Sequence, residues 1–121
     1  VEKFEKLPLA EETVMLALWN LEEPSTAAAL TQYLAEEEHW SLTTVCSFLK
    51  RLEDRGYVAR TRQGRSFVYA PTLTLDAYRS QLAAELLTRF FGGSPNQMVQ
   101  VLRQEHLLSE AVPRNIPDFL L

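Results

Sequence analysis

Apolar residues return at helical spacing in five stretches of this chain and at strand spacing in one. From residue 9 to 21, Ala10, Val14, Ala17, Leu18 and Leu21 form one stripe. Met15, Leu16 and Trp19 make the remaining face apolar as well, so this helix is expected to be buried on more than one side. Glu22-Glu23-Pro24 ends it. Ser25-Thr26 can cap a second helix, about 26–38, with Ala27, Leu30 and Leu34 facing inward. A third runs from Ser41 to Gly56, its core stripe made of Val45, Phe48, Leu49 and Leu52. Ser41 suits the N-cap, and Gly56 the left-handed position just past the last turn.

The period then drops from 3.6 to 2. Tyr57–Arg62 and Ser66–Ala70 are rich in β-branched and aromatic residues and flank Gln63-Gly64, with Arg65 beside the turn, so a hairpin is expected that Pro71 closes. From Thr74 to Phe91 helical spacing returns. Leu75, Tyr78, Leu82, Leu86 and Phe90 share a face that Ala83, Leu87 and Phe91 widen. Gly92-Gly93 stops this helix. Ser94-Pro95-Asn96-Gln97 opens another with a cap, a proline at the first position and a glutamine three residues on. Met98, Val99, Val101 and Leu102 form its apolar side, and the tail from Leu107, with Pro113 and Pro117, is expected to be only partly helical.

Three helices followed by a two-stranded ribbon is the order of a winged helix-turn-helix. The expected fold is mainly α with a small β-wing: a winged-helix head over residues 1–72 and a helical dimerisation segment over 73–121. The second part needs more partner surface than the head supplies. Its dimer contacts are expected from Leu75, Tyr78, Leu82, Leu86, Leu87, Phe90, Phe91, Met98 and Leu102.

Charge sharpens this picture. The chain has 121 residues and a net charge of −4, which superficially argues against a nucleic-acid partner. The distribution reverses that impression. Residues 1–38 hold 2 Lys/Arg against 9 Asp/Glu, residues 39–71 hold 6 against 2, and residues 72–121 hold 4 against 5. The positive excess begins with the helix at Ser41 and continues through the hairpin. That helix carries Thr43, Thr44 and Ser47, then Lys50 and Arg51, away from its core stripe. Arg60, Arg62 and Arg65 make the ribbon a phosphate clamp. No apolar run approaches the roughly 18 residues of a membrane helix, and the start lacks a signal-peptide core. A single cysteine excludes an internal disulfide and fits a reducing cytoplasm.

Other chemistry finds little support. Gly92-Gly93 is followed by Ser-Pro with no lysine, so it is no phosphate loop. His39 and His106 form no recognisable ligand pair, no nucleophile, base and acid fall at a familiar spacing, and no metal, cofactor or enzymatic activity is expected. Cys46 lies between the core stripe and the polar face. Small-residue packing is its favoured reading, and a redox switch the alternative.

Four segments resemble the penicillinase and methicillin-resistance repressor family, the BlaI/MecI/CopY type. They are Val14-Met15-x-x-Leu18-Trp19, Trp40-Ser41-x-x-Thr44-Val45, Leu49-x-Arg51-Leu52-x-x-x-Gly56 and Gly64-Arg65-x-x-Val68-Tyr69-x-Pro71. A looser likeness runs on through Phe90 and Met98-Val99, so that about residues 9–110 are covered. The resemblance implies a homodimeric repressor on inverted-repeat operators in promoters of resistance or stress genes. In it, Thr43, Thr44 and Ser47 would face base edges, Lys50 and Arg51 the phosphates, and Arg62 and Arg65 would belong to the wing. Antibiotic-responsive members are cut at an Asn-Phe bond where this chain has Val101-Leu102, and copper-responsive members end in cysteines that the segment after Leu107 lacks. The resemblance therefore identifies the DNA-binding machinery and leaves the inducing signal and any upstream sensor unassigned. The competing reading is a winged-helix module that binds an acidic protein partner.

Overall fold

Helix α1, Leu9–Leu21, starts without a side-chain cap, but Glu11 and Glu12 place negative charge in its first turn, where the helix dipole favours it. Val14, Met15, Ala17 and Leu18 are buried, whereas Leu16 is 45% exposed. The second apolar face expected of this helix is thus only partly covered. Helix α2, Ala27–Tyr33, is capped by the Thr26 hydroxyl, which accepts from the Ala29 N–H at 3.0 Å. The single helix expected over 26–38 is divided at Leu34 (φ −94, ψ 0). Its side chain is drawn into the core, the backbone tightens there, and Ala35–Glu38 follows as a separate one-turn helix, α3.

Helix α4, Leu42–Asp54, has both predicted ends. The Ser41 hydroxyl accepts from the Thr44 N–H at 3.1 Å. At the other end Gly56 takes φ +82, its N–H bonds to Glu53 O and the Tyr57 N–H reaches back to Leu52 O, which is the Schellman pattern. Val45, Leu49 and Leu52 are completely buried against α1 and α2, together with Val14, Met15, Leu18 and Leu30. Each such side chain is worth about 1.5–3 kcal/mol of burial. Phe48 departs from the expected core stripe. It is half-buried and meets the Trp40 ring edge-on, 4.9 Å between centroids.

Strands β1, Val58–Gln63, and β2, Ser66–Pro71, pair antiparallel in the register Val58↔Pro71 to Gln63↔Ser66. The two-residue connection is therefore Gly64-Arg65, one residue later than the pattern indicates. Gly64 has φ +64 while Arg65 does not share the left-handed region. This is the requirement of a type II′ turn, whose twist matches the strands. Beyond the hairpin, Tyr69 exchanges both backbone hydrogen bonds with Ser25, at 2.8 and 3.0 Å. That one-residue bridge ties the wing to the α1–α2 connection.

The computed structural model describes residues 6–109; the stretch of the tail from residue 110 and the first five residues lie outside them. Within the described residues the chain forms two compact units, the first closing at Tyr78 and the second opening at Arg79. Helix α5, Leu75–Phe91, spans the division. This division lies later in the chain than the expected boundary at 72/73, with the first turn of α5 contributing Tyr78 to the core of the first unit. Tyr78 is only 3% exposed. Its hydroxyl accepts from the Leu7 N–H at 3.2 Å and donates to Glu12 Oε2 at 2.6 Å, and its ring lies beside Trp19 and Tyr57. Its side chain is thus occupied within the head and is withdrawn from the face expected to make the dimer.

In the second unit, Gly92 and Gly93 both take positive φ and turn the chain into helix α6, Pro95–Gln104. The Ser94 hydroxyl caps it by accepting from the Gln97 N–H at 3.3 Å. Val99 is buried, while Leu86, Phe90, Val101 and Leu107 are left exposed. No helix among the described residues is long and apolar enough to cross a membrane.

Candidate nucleic-acid interface

Helical spacing puts Thr43, Ser47 and Lys50 on one row of α4, opposite Val45, Leu49 and Leu52, with Arg51 and Cys46 on its two flanks. Thr43, Cys46, Ser47, Lys50 and Arg51 are all exposed, and Thr44 is half-buried. Several polar groups on and beside the row have a local occupation. The Ser47 hydroxyl donates to Thr43 O at 3.2 Å, and Ser41 donates to the Thr44 hydroxyl at 3.0 Å while capping the helix. These are weak surface bonds that an incoming acceptor or donor can replace. Lys50 reaches Asp54 at 3.1 Å, but both side chains are largely solvated, so little holds the ammonium there. Arg51 lies over the Phe48 ring, 5.9 Å from its centroid.

The wing presents its cations on a stiff support. Arg60 pairs across the sheet with Tyr69, and Arg62 with Phe67. Both guanidinium groups stack over the Phe67 ring, at 4.4 and 5.7 Å. Arg60 also binds Glu53 at 3.0 Å, joining β1 to the end of α4. Arg62 Nε donates to Gly64 O at 3.2 Å, which holds its stem along the turn, and Arg65 stands in the turn itself.

The six cations of the basic stretch therefore divide by role. Arg55, which raises the charge count as much as any, is structural: its Nε meets Glu11 Oε1 at 3.0 Å, and the Glu11 side chain is 4% exposed. This pair clamps the end of α4 onto α1. Lys50 and Arg60 are ion-paired on the surface. Arg51, Arg62 and Arg65 make no salt bridge among the described residues.

Cys46 is exposed, which removes the packing role its sequence position favours; the thiol borders the Thr43–Lys50 row instead. Leu42 went unnoticed in the sequence. Its spacing joins it to the core stripe, yet at the first position of α4 it runs past the edge of the core and is 49% exposed. Of the expected dimer residues, Leu82, Leu87, Phe91, Met98 and Leu102 are half-buried and Leu86 and Phe90 exposed in the second unit, whereas Leu75 is half-buried in the first. Val101-Leu102 lies inside α6. No group of His, Cys, Asp and Glu among the described residues is placed to hold a metal ion.

The sequence model of the penicillinase repressor family matches residues 8–120 of this chain. The penicillinase repressor of Bacillus licheniformis is 28% identical over 113 residues, 93% of this chain and 88% of that protein. Two solved structures share the head's fold. The solution structure of the DNA-binding domain of the repressor BlaI aligns with a TM-score of 0.55 at 27% identity, covering 64% of this chain and 94% of that one. The solution structure of monomeric Bacillus licheniformis BlaI in complex with the blaP half-operator aligns with a TM-score of 0.53 at 28% identity, covering 63% and 92%.

Proposed function

This chain belongs to the penicillinase repressor family, and from that premise we propose that it is a homodimeric transcriptional repressor that binds an inverted-repeat DNA operator. Helix α4 enters the major groove, and the wing grips the backbone. The observation that carries this reading is the exposed row Thr43, Ser47 and Lys50, flanked by Arg51 and accompanied in the same unit by Arg62 and Arg65, three arginines without salt bridges among the described residues. Short hydroxyls let the helix approach base edges closely. A threonine offers a donor or acceptor to either strand and a methyl to thymine's methyl group. Arginines on a hairpin suit phosphates and set the register of the head on the duplex.

The relative solved with a half-operator is monomeric, which supports a division of labour: one head reads one half-site, and the dimer supplies the second. The exposed Leu86 and Phe90, with Leu82, Leu87, Phe91, Met98 and Leu102, are the surface we assign to dimerisation. Two-fold symmetry of the protein then appears as palindromy of the operator. Release by cutting at Val101-Leu102 would require unwinding of α6, because that bond sits in helical backbone.

Selection of binding sites from random double-stranded DNA tests the proposal. It should return an inverted repeat, and affinity for that site should fall steeply as salt rises, since phosphate contacts release counterions. An unenriched pool together with salt-independent binding would overturn the repressor reading in favour of a protein-binding module.

A further inference from the structure

The head contains a concave site that the DNA-binding reading does not use. A cleft of about 360 Å³ opens between the end of α1, the end of β2 and the start of α5, and every residue lining it belongs to the first unit. Its volume lies in the range of small-molecule sites. Pro71, Leu73 and Leu75 give it apolar walls, Trp19 gives it an aromatic one, and Glu22 and Glu23 stand in its lining.

The polar groups around this cleft are not equally available. The Trp19 indole N–H is already bonded to Leu73 O at 3.0 Å, and the ring is steadied by Tyr78 at 5.6 Å. Trp19 therefore has only its π surface left to offer. The Thr74 hydroxyl accepts from the Ala77 N–H at 3.0 Å as the cap of α5. Glu22 and Glu23 are exposed and form no salt bridge among the described residues, and no Lys or Arg lines the cleft. What remains unsatisfied is apolar wall, an aromatic face and negative charge. Neutral apolar molecules satisfy the first, anions are repelled by the last, and only an apolar cation satisfies all three.

We propose that this cleft is a binding site for small apolar cations, such as arylalkylammonium or quaternary ammonium compounds. The Trp19 ring receives the cation's face, and Glu22 and Glu23 supply the countercharge. The site stands on the head's geometry alone and does not depend on the DNA-binding reading.

The test uses tryptamine as the cationic probe and tryptophol, its uncharged isostere, as the control. Both are titrated into the isotopically labelled full chain and followed through the two indole N–H signals, assigned with a Trp40→Phe variant. Tryptamine should shift the Trp19 indole and the Leu73 amide saturably and bind about five- to tenfold more tightly than tryptophol, the sum of a cation–π contact and two solvated ion pairs. A Glu22→Gln/Glu23→Gln variant, altered only at exposed side chains, should reduce that preference to about two- to threefold, the share of the cation–π contact alone, with the rest of its spectrum unchanged. Absence of a saturable shift at Trp19 up to the probe's solubility would overturn the proposal. So would equal affinity of the two probes for the unaltered chain, or a preference that the double substitution leaves undiminished.

Discussion

Tyr78 shows how one hydroxyl can join two distant parts of the chain. It accepts from the Leu7 N–H and donates to Glu12, so the segment before α1, α1 itself and the start of α5 meet at a single oxygen. Burial first, and the hydrogen bond to Glu12 second, hold its phenol well above the ordinary value. A raised folded-state value for a group that is neutral when protonated means that its stabilisation is complete below about pH 10, the unfolded phenol's value, and drains away as pH rises beyond it. Tyr78→Phe should cost about 1–2 kcal/mol at neutral pH, because a buried amide is left unpaired. The gap between the two proteins in urea midpoints should narrow above about pH 10. Cys46 allows a different test. Its exposed thiol borders the Thr43–Lys50 row, so alkylation with N-ethylmaleimide should proceed in the native state and weaken operator binding. Cys46→Ser should bind DNA normally and ignore the reagent; a Cys46→Ser protein that is still inactivated would acquit this thiol.

At the scale of elements, α4 and the wing are expected to contribute different kinds of binding energy. Arg62→Ala and Arg65→Ala should weaken all DNA sequences alike and each lower the salt slope by about one, while Thr44→Ala should change base preference at one operator position. Competition binding against single-base operator variants at two salt concentrations separates the two behaviours. The elements themselves were readable from periodicity wherever one face of a helix or ribbon meets a core, which covers α1, α4, α5 and the hairpin. Features set by single residues in three dimensions were not. Leu34 divides a helix although its spacing continues the stripe, and Ser25 pairs with Tyr69 across a one-residue bridge that has no period to display. Tyr78 occupies the same helical row as Leu82 and Leu86, so spacing alone assigns all three to one surface. Only the position of Leu7, Glu12 and Trp19 around it reveals that it belongs to the head. Arg55 misleads in the same manner: in the sequence it is one more cation in a basic stretch, and in the fold it neutralises the buried Glu11.

For the whole molecule, the division after Tyr78 separates a head with its own core from a second unit in which Leu86, Phe90, Val101 and Leu107 remain exposed. Leu86 and Phe90 lie exposed one turn apart on α5, Phe90 at 69%, and a contiguous apolar patch of that kind suits a surface that another chain covers. Phe90→Glu should leave the head's thermal unfolding intact and yield a monomer in sedimentation velocity; a dimer that persists would place the association surface elsewhere. The hairpin has a consequence of another sort. In this two-stranded sheet β2 is flanked by β1 on one side and touched by Ser25 on the other, so among the described residues β1 keeps an open edge. Unpaired strand edges invite a neighbouring chain to add itself, and charged side chains are a common deterrent. Arg60 and Arg62 alternate along that strand, so two residues of the wing's proposed DNA-binding face are also expected to keep other copies of the protein away from it. Replacing both with valine should yield a chain that folds and then aggregates, visible as rising light scattering at low temperature, whereas lysine at both positions should keep it dispersed. Basic residues at this edge are therefore expected to serve colloidal behaviour independently of recognition, and a relative without an operator should still carry them.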